Sequence, residues 1–234
     1  MNHILKTVLL LSFVLHFSNG IIAQGKKFVS IKAGNKVADV LSPADIYYFP
    51  KFTTGRVYFK DGSKSEARLN YNHLVDEMQF IDPKDDTLAL ANENTIQAIA
   101  VEKDTFYYHN GYQRLIRQTG GIKLTLKQFW AIGDVKKMGA FNQANTSASI
   151  ATVSTFTGKG GNYELILNED VDLRKVEQFF LVDPYNQFVL ASRKNLLDLF
   201  PKHQQAIKSY LKENSVEFSK QEDLEKLVQF LAAL

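Results

Sequence analysis

The chain contains no cysteine. That absence removes disulfides, thiolate metal sites and a cysteine nucleophile, along with the N-terminal cysteine that carries the lipid of bacterial lipoproteins. Net charge is also slight: 28 basic against 25 acidic residues leave +3, too little for a nucleic-acid footprint, so no nucleic-acid partner is expected. Histidine is sparse. Beyond residue 23 only His73, His109 and His203 remain, far apart and without zinc-ligand spacing.

Motifs for nucleophilic or phosphate chemistry are missing as well. There is no Gly-x-Ser-x-Gly, and the serines of 147–154 sit in a polar run with no histidine nearby. Gly158-Lys-Gly-Gly161 lacks the Lys-Ser/Thr end of a phosphate loop. The acidic runs Asp82, Asp85, Asp86 and Glu169, Asp170, Asp172 lack the glycine and twelve-residue spacing of a calcium loop and are read as turns. His73 with Asp76 and Glu77 forms a short polar cluster, read as a solvated turn between strands. Carboxylate pairs of the glycosidase kind can be chosen anywhere among 25 acids and carry no information. Neither catalytic residue, cofactor nor metal is expected.

One long apolar run is present. Lys6 followed by the almost wholly apolar Val8 to Phe17, with Ala23 before Gln24, has the layout of an export signal over residues 1–23. A membrane anchor is the competing reading, but the run is shorter than the ~20 residues of a span. Cleavage there removes one lysine and no acid, leaving +2 on the mature chain. No later segment is apolar enough to span, so the mature protein reaches a membrane only through a partner.

Beyond residue 23 the chain is strand-rich. Val57 and Phe59 alternate with Arg56, Tyr58 and Lys60, and Ala67, Leu69 and Tyr71 alternate with Arg68, Asn70 and Asn72. One face is apolar and the other wet, with Asp61-Gly62 supplying the turn of a hairpin whose loop has three to five residues. Phe28–Ile31, residues 77–81, 87–90 and 95–101, the aromatic run Phe106–Tyr108, and segments 112–116 and 122–126 add short antiparallel strands. The stretch 37–45 reads as loop, and Phe129-Trp130 has no clear assignment. Residues 177–182 and 187–191 flank Asp183-Pro-Tyr-Asn186 as a second hairpin.

The period then changes. Ser192 caps a short helix through Phe200, a second helix spans His203 to Glu213, and Ser219-Lys-Gln-Glu222 has the form of a capping box. Leu224, Leu227, Val228 and Leu231 give the last helix one apolar face. The expected class is α+β: an antiparallel, hairpin-rich body over 24–191 and a helical segment over 192–234, lying on the sheet or forming a small bundle.

Gly55-Arg-Val-Tyr-Phe-Lys-Asp-Gly62, Leu69-Asn-Tyr-Asn72, Glu77-Met-Gln-Phe80 and Lys194-Asn-Leu-Leu-Asp-Leu-Phe-Pro201 together resemble a group of uncharacterised exported proteins of Bacteroidota. The resemblance implies location and architecture. It brings no catalytic residues with it.

These readings point to an exported, non-catalytic binding or scaffold protein, an accessory subunit of a cell-envelope complex or a module for a surface ligand. Periplasm, outer membrane and medium all fit its signal. The alternative is an envelope hydrolase acting on a glycan or other polymer, and a third class is a stress or adhesion factor acting alone. Two stretches are expected to meet a partner. One is the aromatic edge with Tyr47, Tyr48 and Phe52. The other is the glycine- and serine-rich 133–161, read as a mobile loop or long hairpin, with Phe141, Ile150, Val153 and Phe156.

Overall fold

The computed structural model describes residues 28–132, 151–152 and 170–234. The export signal and most of 133–161 therefore lie outside the described residues. Twelve described strands form one antiparallel sheet. They are β1 (Phe28–Ile31), β2 (Thr53–Phe59), β3 (Lys64–Asn72), β4 (Glu77–Ile81), β5 (Thr87–Ala89), β6 (Ile96–Val101), β7 (Asp104–Tyr108), β8 (Tyr112–Thr119), β9 (Ile122–Ile132), β10 (Ala151–Thr152), β11 (Val171–Val182) and β12 (Phe188–Leu190).

Their spatial order is β1-β11-β9-β8-β7-β6-β2-β3-β4-β5, with β10 on β9 and β12 on β11. The sheet is thus two meanders sharing the seam β2/β6. After β5 the chain passes Asn92, held at φ 57°, and a turn at Glu93–Thr95, then returns to the free side of β2. Alternation sets the faces: Val57, Leu69, Met78, Ile99, Phe106 and Tyr112 are all buried on the inner side of the curl.

The hairpin expected at Asp61-Gly62 is present, with a four-residue loop between β2 and β3. The Asp61 carboxylate accepts from the Ser63 N–H at 2.9 Å and from its hydroxyl at 2.6 Å. The stretch 37–45 is not plain loop but two single-turn helices, α1 (Val37–Val40) and α2 (Pro43–Ile46). Asp45 folds back onto the Ser42 N–H at 3.0 Å and hydroxyl at 2.6 Å, which closes the second turn. Tyr47–Phe52 is no strand either. Its aromatics follow the end of β3, where Asn70 exchanges two bonds with the Phe49 backbone at 2.9 and 3.0 Å.

Phe129 and Trp130 belong to β9, an eleven-residue strand that runs through the middle of one half of the sheet. α1 and α2 cover its far end around Trp130, Ile132, Leu173 and Ile31.

The C-terminal helices α3 (Arg193–Leu199), α4 (Gln204–Glu213) and α5 (Gln221–Leu231) lie on the sheet and not apart from it. Leu224, Leu227, Val228 and Leu231 pack with Ile122, Leu124, Leu126, Phe179 and Leu181. Burying side chains of this size is worth about 1.5–3 kcal/mol each. Arg117 of β8 holds Glu225 of α5 at 3.1 Å. Ser192 caps α3 as expected, accepting from the Asn195 N–H at 3.2 Å. The capping box at Ser219 does not form. α5 begins after Lys220, and Asp223 in its first turn takes the Glu217 N–H at 3.0 Å. The expected α+β class holds only in part: the described residues are nearly all β, a large antiparallel sheet with a few C-terminal helices. No described helix is long and apolar enough to cross a membrane.

Gly55 shows how tightly the seam is packed. A Cβ there would stand 2.7 Å from Val101 Cγ2, 2.8 Å from the Ala100 carbonyl and 2.9 Å from Leu69 Cδ1. The Ala100 carbonyl belongs to the backbone of β6, which pairs with β2, and cannot withdraw without disturbing the ladder. Gly55→Ala is expected to lower stability by about 1–3 kcal/mol, read as the shift in a urea unfolding curve.

Candidate functional site

Chemistry-bearing side chains gather in two places: a buried polar knot where β3 meets β9, and an open groove at the opposite end of β3. The knot arises because β8 pairs with β9 only as far as Leu126. Beyond that point the same edge of β9 needs other partners. The Trp130 N–H donates to the His73 carbonyl at 3.0 Å, and the Gln128 carbonyl accepts from the Tyr71 hydroxyl at 2.9 Å and from His73 Nδ1 at 3.1 Å. A carbonyl only accepts, so the His73 proton sits on Nδ1.

The turn after β3 is fixed by Asp76, whose own φ is 57°. Its carboxylate pairs with Lys127 Nζ at 2.8 Å and accepts from the Tyr71 hydroxyl at 2.8 Å and the Tyr112 N–H at 3.2 Å. Lys127 also donates to the Asn110 carbonyl. Gly111, at φ 104°, lies so close that any Cβ would overlap Asp76 and Lys127. His73 and Asp76 are therefore not a solvated turn. The backbone demand of β9 draws them inside.

Burial and the nearby cations Lys175 and Arg114 push the His73 pKa down to about 3, against which the Gln128 carbonyl is too weak. Burial also raises the Asp76 carboxyl, outweighing Lys127, and raises the Tyr112 phenol. The Tyr112 hydroxyl and Arg114 Nε have no hydrogen-bond partner among the described residues. Such a knot ties strands together. None of its residues lines either of the two concavities beside β2 and β3.

The groove, of about 550 Å³, has Val57, Phe59, Ala67, Phe80 and Leu90 on its apolar side. Its rim carries Glu66, Arg68, Asp82 and Asp85. These rim charges are already engaged. Glu66 pairs with Arg56, Asp85 with Arg68 at 2.7 Å, and the Asp82 carboxylate accepts from the Lys84 and Asp86 N–H groups at 2.8 and 2.9 Å. A second concavity of about 520 Å³ adjoins through Phe59 and reaches Lys60, Ser63, Asn94 and Thr95. Among the described residues, no three His, Asp or Glu side chains gather as metal ligands.

The aromatics Tyr47, Tyr48 and Phe52 are half-buried and engaged internally. The Tyr47 hydroxyl reaches Gln79 at 3.1 Å, the Tyr48 hydroxyl reaches Asp104 at 3.2 Å, and the Tyr47 and Phe52 rings meet edge to face at 5.4 Å. Phe141, Ile150, Val153 and Phe156 lie outside the described residues. Within that stretch only Ala151–Thr152 is described, paired with Ile132 and Ala131 of β9. The groove residues escaped the sequence reading of partner contacts, although the alternation of Val57, Phe59 and Ala67 had placed them on one apolar face. No family model matches the chain, and no curated protein or solved structure matches it.

The knot makes stability depend on pH. The unfolded-state histidine titrates near 6.5, so the stability that rests on neutral His73 is complete above that pH and is lost as pH falls toward 3. At pH 5 the loss is about 2 kcal/mol relative to pH 7, part of it offset as the raised Asp76 carboxyl protonates. His73→Asn, which keeps a donor but does not titrate, is expected to remove most of that dependence in urea unfolding at the two pH values. Tyr112→Phe deletes a hydroxyl with no partner and is expected to be neutral or to stabilise by up to about 1 kcal/mol in the same assay.

Proposed function

We propose that the protein is an exported, non-catalytic binding or scaffold protein, an accessory component of a cell-envelope complex, that presents the groove beside β3 to its partner. The observation that carries this reading is the division of labour between the two sites. His73 and Asp76, whose pKa values burial displaces, are locked into the fold, whereas the open groove offers apolar surface edged by charges that already have partners. A hydrolytic centre needs the reverse, with a proton-transfer group free at a concave surface.

Export rests on the N-terminal arrangement of Lys6, the apolar run Val8 to Phe17 and the small residue Ala23 before Gln24. The periplasm, the outer membrane and the medium are its possible destinations. A chain without cysteine also suits an oxidising compartment, where it depends on packing alone.

The test is performed on the tagged full-length protein expressed in its own cells, with a photocrosslinking residue in place of Ser65, which lines the groove. The expected result is recovery from the envelope fraction as a chain beginning at Gln24, with one reproducible crosslinked partner. Ala67→Arg, which drives a long side chain into the groove from a half-buried position, is expected to lower that crosslinking at least about ten-fold while leaving the melting temperature nearly unchanged. Crosslinking that is equal in wild type and variant would remove the groove from consideration.

A further inference from the structure

We infer that the groove takes an extended polypeptide segment, which adds to the sheet as a strand along the first half of β3. This inference rests on the binding function proposed for the groove and specifies the chemistry of the partner.

Backbone hydrogen bonds set the direction of this edge. In the β2–β3 ladder the Phe59 N–H donates to the Ser63 carbonyl at 2.9 Å. Antiparallel pairs alternate between bonded and non-bonded, so with the register Val57↔Ser65 and Gly55↔Ala67 it is residues 63, 65 and 67 that bond to β2. Lys64 and Glu66 turn their N–H and C=O groups the other way. On that side β4 pairs with β3 only from Arg68↔Ile81 onward. After Ile81 the chain turns off at Asp82-Pro83, where the Asp82 N–H bonds to the Asp86 carbonyl. Lys64 and Glu66 are thus left with an open backbone edge among the described residues, and both are exposed.

The groove occupies the space that β4 would have filled had it continued. Ser65, Glu66, Ala67 and Arg68 form one wall, and Ile81, Asp82, Pro83 and Asp85 form the end where β4 stops. A strand placed there, about 4.8 Å from β3, meets two donors and two acceptors in the spacing of a ladder. Every second side chain of that strand would project over Ala67, Phe80, Val57 and Phe59.

An edge of alternating donors and acceptors distinguishes an extended chain from a compact apolar ligand, which has no groups to match it. The mixed charges of the rim, Arg68 against Glu66, Asp82 and Asp85, with Lys64 and Lys84 beside them in the sequence, favour neither a polyanion nor a polycation. Selection falls instead on alternating apolar residues.

The folded protein is panned against a displayed library of random linear 12-residue peptides. A selected peptide is then followed by amide hydrogen exchange and binding titration. The expected result is enrichment of alternating apolar sequences, with exchange at the Lys64 and Glu66 amides slowed at least about ten-fold by the bound peptide. Glu66→Pro removes the outward N–H while sparing the bonds to β2. It is expected to weaken binding at least about ten-fold, whereas Glu66→Ala, which lacks only the carboxylate, binds nearly as wild type. Exchange measured on the wild-type chain decides the matter even if the proline variant fails to fold.

Peptides that bind in an Ala67→Arg-sensitive manner, yet leave both amides unprotected, would overturn the added strand and keep the groove as a binding site. Failure to enrich any peptide, with envelope crosslinking still sensitive to Ala67→Arg, would likewise overturn the strand alone. If that crosslinking is also indifferent to Ala67→Arg, both readings fall. Protection of the two amides by self-association, with the chain sedimenting as a dimer, would assign the edge to a second copy and overturn a foreign segment.

Discussion

The edge of β9 facing away from β11 is the constraint on which the rest of the molecule depends. Eleven residues long, it has among the described residues no single neighbour of its own length on that side. It is satisfied in three pieces: β8 along 122–126, the end of β3 at Gln128 and Trp130, and β10 at 131–132. Leaving buried N–H and C=O groups unpaired costs about 1–3 kcal/mol each, so the middle piece is an obligation. To supply it, the meander from β8 through β3 must curl until His73 meets Trp130. That curl creates the inner apolar face around Phe106 and Tyr112, buries His73 and Asp76, and swings the other end of β3 outward as the wall of the groove.

Much of the architecture was legible because it is local. Alternation located the strands, Asp61-Gly62 and Asp183-Pro-Tyr-Asn186 located the turns, and the four apolar residues of α5 located its buried face. The sequence could not show which strand would lie beside β2. β6 takes that place only because the chain crosses back after β5, a long-range choice that leaves no periodic mark. The same holds for His73: a polar cluster between two strands looks solvated until the distant edge of β9 claims its carbonyl and ring nitrogen. The capping box at Ser219 failed for a nearer reason, since Asp223 satisfies the Glu217 N–H and the helix starts one residue later.

The two polar regions differ in what surrounds them. In the knot, burial separates the charges from water, lowering His73 and raising Asp76, and each group compensates another inside the fold. The mostly buried Asp76–Lys127 pair leaves a poorly solvated charge behind when one partner is removed, so these residues hold strands in register. At the groove the charges stand in solvent, where water screens exposed ion pairs until they contribute little. An incoming partner can therefore displace them cheaply, and only the apolar floor and the open backbone offer it much in return.

The curl that satisfies β9 draws β3 past the end of β4, because β3 has nine residues and β4 five. A fold that lengthened β4 to cover Lys64 and Glu66 would need to move the turn at Asp82-Pro83. β5, which pairs with β4 through Ile81↔Thr87, would move with it. The edge left unpaired among the described residues is thus a consequence of strand lengths fixed by the turn chemistry at Asp61-Gly62 and Asp82-Pro83. Its position over half-buried Phe59, Ala67 and Phe80 is what turns an unsatisfied edge into a surface with a directional preference.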